Sequence, residues 1–99
     1  MINYFYSKLF DINYRMATHE GNANQRLASE AYKILAQLAP NYRLVPEQYK
    51  DRFAKLIALI KDTIAETEGR IPIRIKGIQN KTATKYIKLL IDIKESLGD

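Results

Sequence analysis

Apolar side chains recur every three or four positions along residues 2–17, a spacing that places them on one face of an α-helix. The residues on this face are Ile2, Phe5, Leu9, Ile12 and Met16. At about 100° per residue, Tyr6, Phe10 and Ala17 widen the apolar face to an arc of about 160°. An arc this wide requires contacts on two sides, and we expect later helices to supply them.

Three other stretches have the same helical periodicity, and signals for helix starts precede two of them. Asn22 is a good N-cap, and Gln25 three residues later completes a capping-box pattern. Pro46 is suited to the first turn of another helix. The predicted helices cover approximately residues 2–18, 23–38, 47–67 and 81–97. Helices joined by short connections indicate an all-α fold, namely a small and mainly antiparallel four-helix bundle.

The linker before the last helix, residues 69–79, is the segment whose structure the pattern leaves open. Its isoleucines Ile71, Ile73 and Ile75 alternate with other residue types, as in a strand. No other segment predicts a strand that could pair with it, and Ile71, Ile75 and Ile78 also fit helical spacing. We therefore expect residues 70–78 to form a short helical turn or a docked extended linker. A strand that pairs across a dimer is the minority alternative.

Composition narrows the class of protein. A length of 99 residues suits one domain, residues 1–99, and 46% hydrophobic with 27% charged residues is typical of a globular protein. The absence of cysteine excludes disulfides and thiolate–metal sites, and it fits a reducing compartment. No signal-peptide pattern is evident, and the longest apolar run, residues 56–60, is far shorter than a membrane span. We expect a cytoplasmic protein with no membrane contact and no cofactor.

Charge introduces a candidate binding surface, since a net charge of +5 permits an acidic partner such as nucleic acid. In the last predicted helix the cations precede the carboxylates, opposite to the order that the helix dipole favours. With the cations of the linker they form a candidate anion-binding or nucleic-acid-binding surface. Its residues are Arg70, Arg74, Lys76, Lys81, Lys85 and Lys88. The alternative, which we favour, is internal pairing with the carboxylates Asp62, Glu66 and Glu68 at the end of the third helix, or plain solvation of the cations.

His19 is the only histidine, so a multi-histidine metal site is excluded. Arg15 lies one helical turn before His19, and the pair resembles the arginine–histidine arrangement of small helical ribonucleases of the HEPN family. That resemblance implies RNA cleavage by Arg15 and His19, although the family has a longer spacer between the two residues. We favour a histidine at a helix end without a catalytic role. We therefore predict no enzymatic activity, with ribonuclease as the alternative.

Aromatic residues at the edge of the first helix are the candidate protein interface. They are Tyr4, Tyr6, Phe10 and Tyr14. Tyrosine is favoured at interfaces because it combines a large area with a polar tip, although tyrosines at the edge of a core are an equal alternative. We predict a small non-catalytic interaction or regulatory protein that binds a protein partner, with a homodimer as a subsidiary prediction. The alternative function is nucleic-acid binding through residues 70–88.

Overall fold

The computed structural model describes residues 2–98, and residue 2 by its backbone alone. Met1, Asp99 and the side chain of Ile2, which we assigned to the apolar face, lie outside the described residues. The described residues are largely helical and contain no strand, which confirms the all-α prediction. Their α-helices are α1 (Ile2–Thr18), α2 (Ala23–Ser29), α3 (Ala31–Lys33), α4 (Glu47–Thr67) and α5 (Asn80–Gly98). A π-helical segment (Ile34–Leu38) and a 3₁₀ segment (Ala39–Leu44) lie between α3 and α4.

Local signals account for the ends of several helices. The bounds of α1, α4 and α5 lie within one residue of the predicted 2–18, 47–67 and 81–97. The predicted capping box at the start of α2 is confirmed. There the Gln25 backbone N–H donates to the Asn22 side chain at 2.9 Å, and the Asn22 backbone N–H donates to the Gln25 side chain at 3.0 Å.

The predicted helix at residues 23–38 is wrong as one continuous α-helix. It is interrupted at Glu30, whose φ of −105° and ψ of 7° depart from helical geometry. The Glu30 carboxylate is buried, and its Oε1 accepts a hydrogen bond from Arg15 Nε of α1 at 2.9 Å. The interruption thus coincides with a tertiary ion pair, which local periodicity does not encode.

A change of helical pitch follows this break. Ile34 and Leu38 begin and end the π-helical segment, and both side chains are fully buried. The predicted connection after residue 38 is itself helical, as the 3₁₀ segment, with a kink at Asn41. The Asn41 side chain donates to the Gln37 carbonyl at 3.0 Å, a local hydrogen bond that competes with regular helix. Tight i→i+3 turns then bring the chain to α4.

The apolar face of α1 lies at the centre of the core and is covered on more than one side. Its buried side chains are Phe5, Leu9, Ile12 and Met16. Helix α1 packs chiefly against α5, and also against the π-helical segment and α2. The Asn13 side chain of α1 donates to the Leu90 carbonyl of α5 at 3.2 Å, and Tyr6 packs against Gly98. These contacts show that α1 and α5 run antiparallel, and the Cα radius of gyration of 12.5 Å is that of a collapsed chain of this length.

The linker is irregular, neither strand nor helical turn, and part of it is docked on the core. Ile75 is fully buried. The buried Asn24 side chain of α2 donates to the carbonyls of Ile75 at 3.0 Å and of Ile78 at 3.1 Å, and accepts from the Ile75 N–H. On the other side, the hydroxyl of buried Thr63 in α4 accepts from the Lys76 N–H at 3.2 Å. Of the alternatives left open by the sequence, the docked linker is therefore the one observed.

Candidate interaction surfaces

Three of the four predicted interface residues form one row along α1. Tyr6, Phe10 and Tyr14 are spaced by four residues, so they are neighbours on the helix surface. Phe10 and Tyr14 are 50% and 63% exposed, whereas Tyr6 is half-buried against Gly98 of α5. The ammonium of Lys94 in α5 lies 5.5 Å from the centre of the Phe10 ring, within cation–π range. We call these three residues the aromatic row.

Tyr4 does not belong to this row. At about 100° per residue it projects roughly 80° around the helix from Tyr14. Its ring is 51% exposed, and the ammonium of Lys8 lies 5.3 Å from the ring centre. The predicted interface therefore divides into the aromatic row and a separate Tyr4–Lys8 pair.

The most exposed large apolar side chains of the described residues lie elsewhere, on the linker. Ile71 is 77% and Ile73 80% exposed, while Pro72 between them is buried. In an extended strand, Ile71, Ile73 and Ile75 would share one face, so alternation alone predicts the same degree of burial for all three. Sequence reasoning therefore missed that Ile71 and Ile73 are exposed while Ile75 is buried. We call residues 70–74 the linker apex.

Hydrogen bonds hold both ends of the linker apex. At its start, Arg70 Nε donates to the Thr67 carbonyl at 3.0 Å, and the Arg70 carbonyl accepts from the Tyr32 hydroxyl at 3.1 Å. At its end, the Asn24 side chain fixes the backbone of Ile75. The two exposed isoleucines are therefore presented on a backbone that is anchored to α2, α3 and α4.

The six predicted anion-binding residues do not form one surface. Lys76 Nζ lies 2.8 Å from Glu66 Oε2, which is the internal neutralisation favoured from sequence. The guanidinium of Arg70 is directed back to the end of α4 by its bond to the Thr67 carbonyl. Arg74 and Lys81 are exposed, and neither forms an ion pair with a described residue.

Lys85 and Lys88 are instead brought together with two cations that sequence reasoning missed. They share an open cleft of about 340 Å³ between α4 and α5 with Arg52 and Lys55. We call this the cationic cleft. Its other lining residues are Thr82, Tyr86, Leu89 and Asp92. Arg52 and Lys55 are three residues apart on α4, but only the packing of α4 on α5 reveals that they lie across from the lysines.

The structure gives Arg15 and His19 separate environments. Arg15 is bound to Glu30, while His19 is exposed beyond the end of α1. His19 lines a shallow depression of about 310 Å³ with Glu20, Gln25, Ser29 and the linker apex, and Arg15 is not among the lining residues.

Residues 2–98 contain no group of three or more acidic or histidine side chains placed to hold a metal ion. None of their helices combines the length and apolar character needed to cross a membrane.

No protein-family model, curated protein or solved structure shows significant similarity to the chain. The features of the chain that bear on its function are the aromatic row, the linker apex and the cationic cleft.

Proposed function

We propose that this chain is a small non-catalytic helical protein that acts by binding another protein through the linker apex. The observation that carries the proposal is the exposure of Ile71 and Ile73 on an anchored backbone. Burying one isoleucine side chain contributes about 1.5–3 kcal/mol, so two provide the anchor of an interface. Because the backbone is already ordered, binding costs little additional conformational entropy.

The charges around the linker apex indicate the chemistry of this partner. Arg70 and Arg74 precede and follow the two isoleucines in the chain; Arg74 is exposed without an ion pair among the described residues, whereas the Arg70 guanidinium is directed to the end of α4. Cations at the rim of an interface favour a partner with an acidic rim, mainly through the association rate. The proposed partner therefore presents an apolar pocket bordered by Asp or Glu side chains.

A double substitution tests this proposal without disturbing the core. Ile71→Ser with Ile73→Ser removes the apolar anchor, while Phe10→Ser with Tyr14→Ser is a matched control at the aromatic row. In capture from a nuclease-treated lysate of the source cell, we expect the linker-apex variant to lose the wild-type protein partners and the control to keep them. Retention of every partner by the linker-apex variant would contradict the proposal.

Self-association through the aromatic row is a subsidiary proposal. Phe10 and Tyr14 supply exposed aromatic area, and a two-fold dimer would place the row of one copy against that of another. Light scattering should then report a dimer that becomes monomeric in Phe10→Ser with Tyr14→Ser. A wild-type protein that is monomeric at high concentration would end this proposal.

The helix arrangement and the location of the protein are also part of the proposal. We propose a mainly antiparallel four-helix arrangement, in which α2, α3 and the π-helical segment together act as the second helix. The antiparallel contact of α1 with α5 supports it. We also propose a cytoplasmic location, supported by a chain without cysteine.

A further inference from the structure

The cationic cleft is built from two matched pairs of cations on facing helices. Arg52 and Lys55 lie on α4, and Lys85 and Lys88 lie on α5. Each pair has i,i+3 spacing, so its members lie on one side of their helix and about 4.5 Å apart along its axis. All four side chains are exposed, and the lining includes one carboxylate, Asp92, which lies 3.5 Å from Lys88. The lining therefore has a formal excess of positive charge.

Internal neutralisation does not account for these cations. Glu66 is engaged by Lys76, on the linker side of α4. Among the described residues, Lys88 is the one cation of the cleft that forms an ion pair. Lys85 lies in the second turn of α5 and forms no ion pair with a described residue.

The base of the cleft is apolar and aromatic. Tyr86 is half-buried, and Leu89 is buried below the cations. On the α4 wall of the cleft, the guanidinium carbon of Arg52 lies 5.4 Å from the centre of the Tyr49 ring, which is outside the lining itself. An open positively charged groove with aromatic side chains is the arrangement that binds single-stranded nucleic acid, with phosphates on the cations and bases on the rings.

We infer that the cationic cleft between α4 and α5 binds single-stranded nucleic acid. A small phosphate compound is a poorer match, because the four cations are exposed on two helices and an extended polyanion can contact both walls of the cleft at once. The inference is independent of protein binding at the linker apex, since the cleft residues lie on α4 and α5 and none of them belongs to residues 70–74.

Binding by three or four cations sets a definite salt dependence. Neutralising three or four phosphates of a single strand gives a slope of log affinity against log salt of about −2 to −3. Affinity should therefore fall by about 20- to 50-fold between 50 and 200 mM salt. This result can be measured by fluorescence anisotropy of a labelled single-stranded oligouridylate with the purified full chain.

A pair of charge-matched variants separates the cleft from net charge. Lys55→Gln with Lys85→Gln removes one cation from each wall, whereas Lys33→Gln with Lys61→Gln removes two exposed cations elsewhere. We expect the cleft variant to bind about tenfold more weakly or worse, with a shallower salt slope, and the control to stay within about twofold of wild type. The linker-apex variant Ile71→Ser with Ile73→Ser should bind the oligonucleotide as wild type does.

Several results would overturn the inference. No binding at low salt would do so, as would equal losses in the cleft and control variants. Tighter binding of duplex than of single strand would contradict the single-stranded ligand. Equally effective competition by polyglutamate would indicate an acidic protein as the occupant instead.

Discussion

Ile73 and Ile75 are the same residue type, two positions apart in one irregular segment, yet their side chains are 80% and 0% exposed. The difference lies in what satisfies the backbone. Both polar groups of Ile75 are bonded to the Asn24 side chain, so that residue can be buried without leaving a donor or an acceptor unpaired. At the exposed Ile73, water is available for the same groups. The burial of Ile75 in a segment without regular structure is thus made possible by a hydrogen-bond partner from elsewhere in the chain.

Separate truncation of the two isoleucines tests most directly whether Ile75, and not Ile73, contributes to the stability of the core. Ile75→Ala should lower the free energy of unfolding by about 2–5 kcal/mol, because it removes buried side-chain volume from the core. Ile73→Ala should change it by less than about 0.5 kcal/mol. Urea denaturation of both variants provides the measurement. Similar values for the two would show that Ile75 is not held in the core as described.

Removing the partner of Ile75 should have the next largest effect. Asn24→Ala leaves the buried N–H and carbonyl of Ile75 without their partner, and we expect a loss of about 1–3 kcal/mol in urea denaturation. Asn24→Asp should also destabilise the chain, because a carboxylate still accepts from the Ile75 N–H but sets its second oxygen against the carbonyls of Ile75 and Ile78. An unchanged stability in Asn24→Ala would argue against the role given to this side chain.

The hydrogen bond from the Lys76 N–H to Thr63 of α4 should contribute least to the stability of the chain. Thr63→Val keeps the side-chain shape but removes the acceptor of the Lys76 N–H, for an expected loss of about 0.5–1.5 kcal/mol in thermal unfolding. The exposed Thr84 donates to the Asn80 carbonyl within its own helix at 2.9 Å, so Thr84→Val is a control with little expected effect. A larger loss of stability in Thr84→Val than in Thr63→Val would contradict the role of Thr63 as an anchor of the linker.

Sequence periodicity predicted the helical class and the helices with long apolar stripes, because these patterns reflect burial within a single element. The capping box of Asn22 and Gln25 was equally accessible, since both partners lie within one turn. The break at Glu30 was not, because it accompanies an ion pair with Arg15 on another helix. Local spacing describes one element at a time and does not report such contacts.

The candidate surfaces could likewise be predicted only where their residues lie on a single helix. The aromatic row could be read from the spacing of Tyr6, Phe10 and Tyr14, although their function stays a prediction. The projection of Ile71 depends on hydrogen bonds that span about 50 residues, among them that of Asn24 to the Ile75 carbonyl. The facing cations of the cationic cleft likewise required the packing of α4 against α5.

The Asn24 contact also has a consequence for the order of folding. It joins residues separated by 51 positions in the chain, so it can form only after α2 and the far end of the linker have met. Contacts of such separation pay loop-closure entropy before they stabilise the chain, which favours their formation late in folding. The Ile75 amide should then stay protected from exchange with solvent as long as α2 and the linker remain in contact. Chains in which α2 and the linker have not yet met would therefore lack the surface that we propose for partner binding.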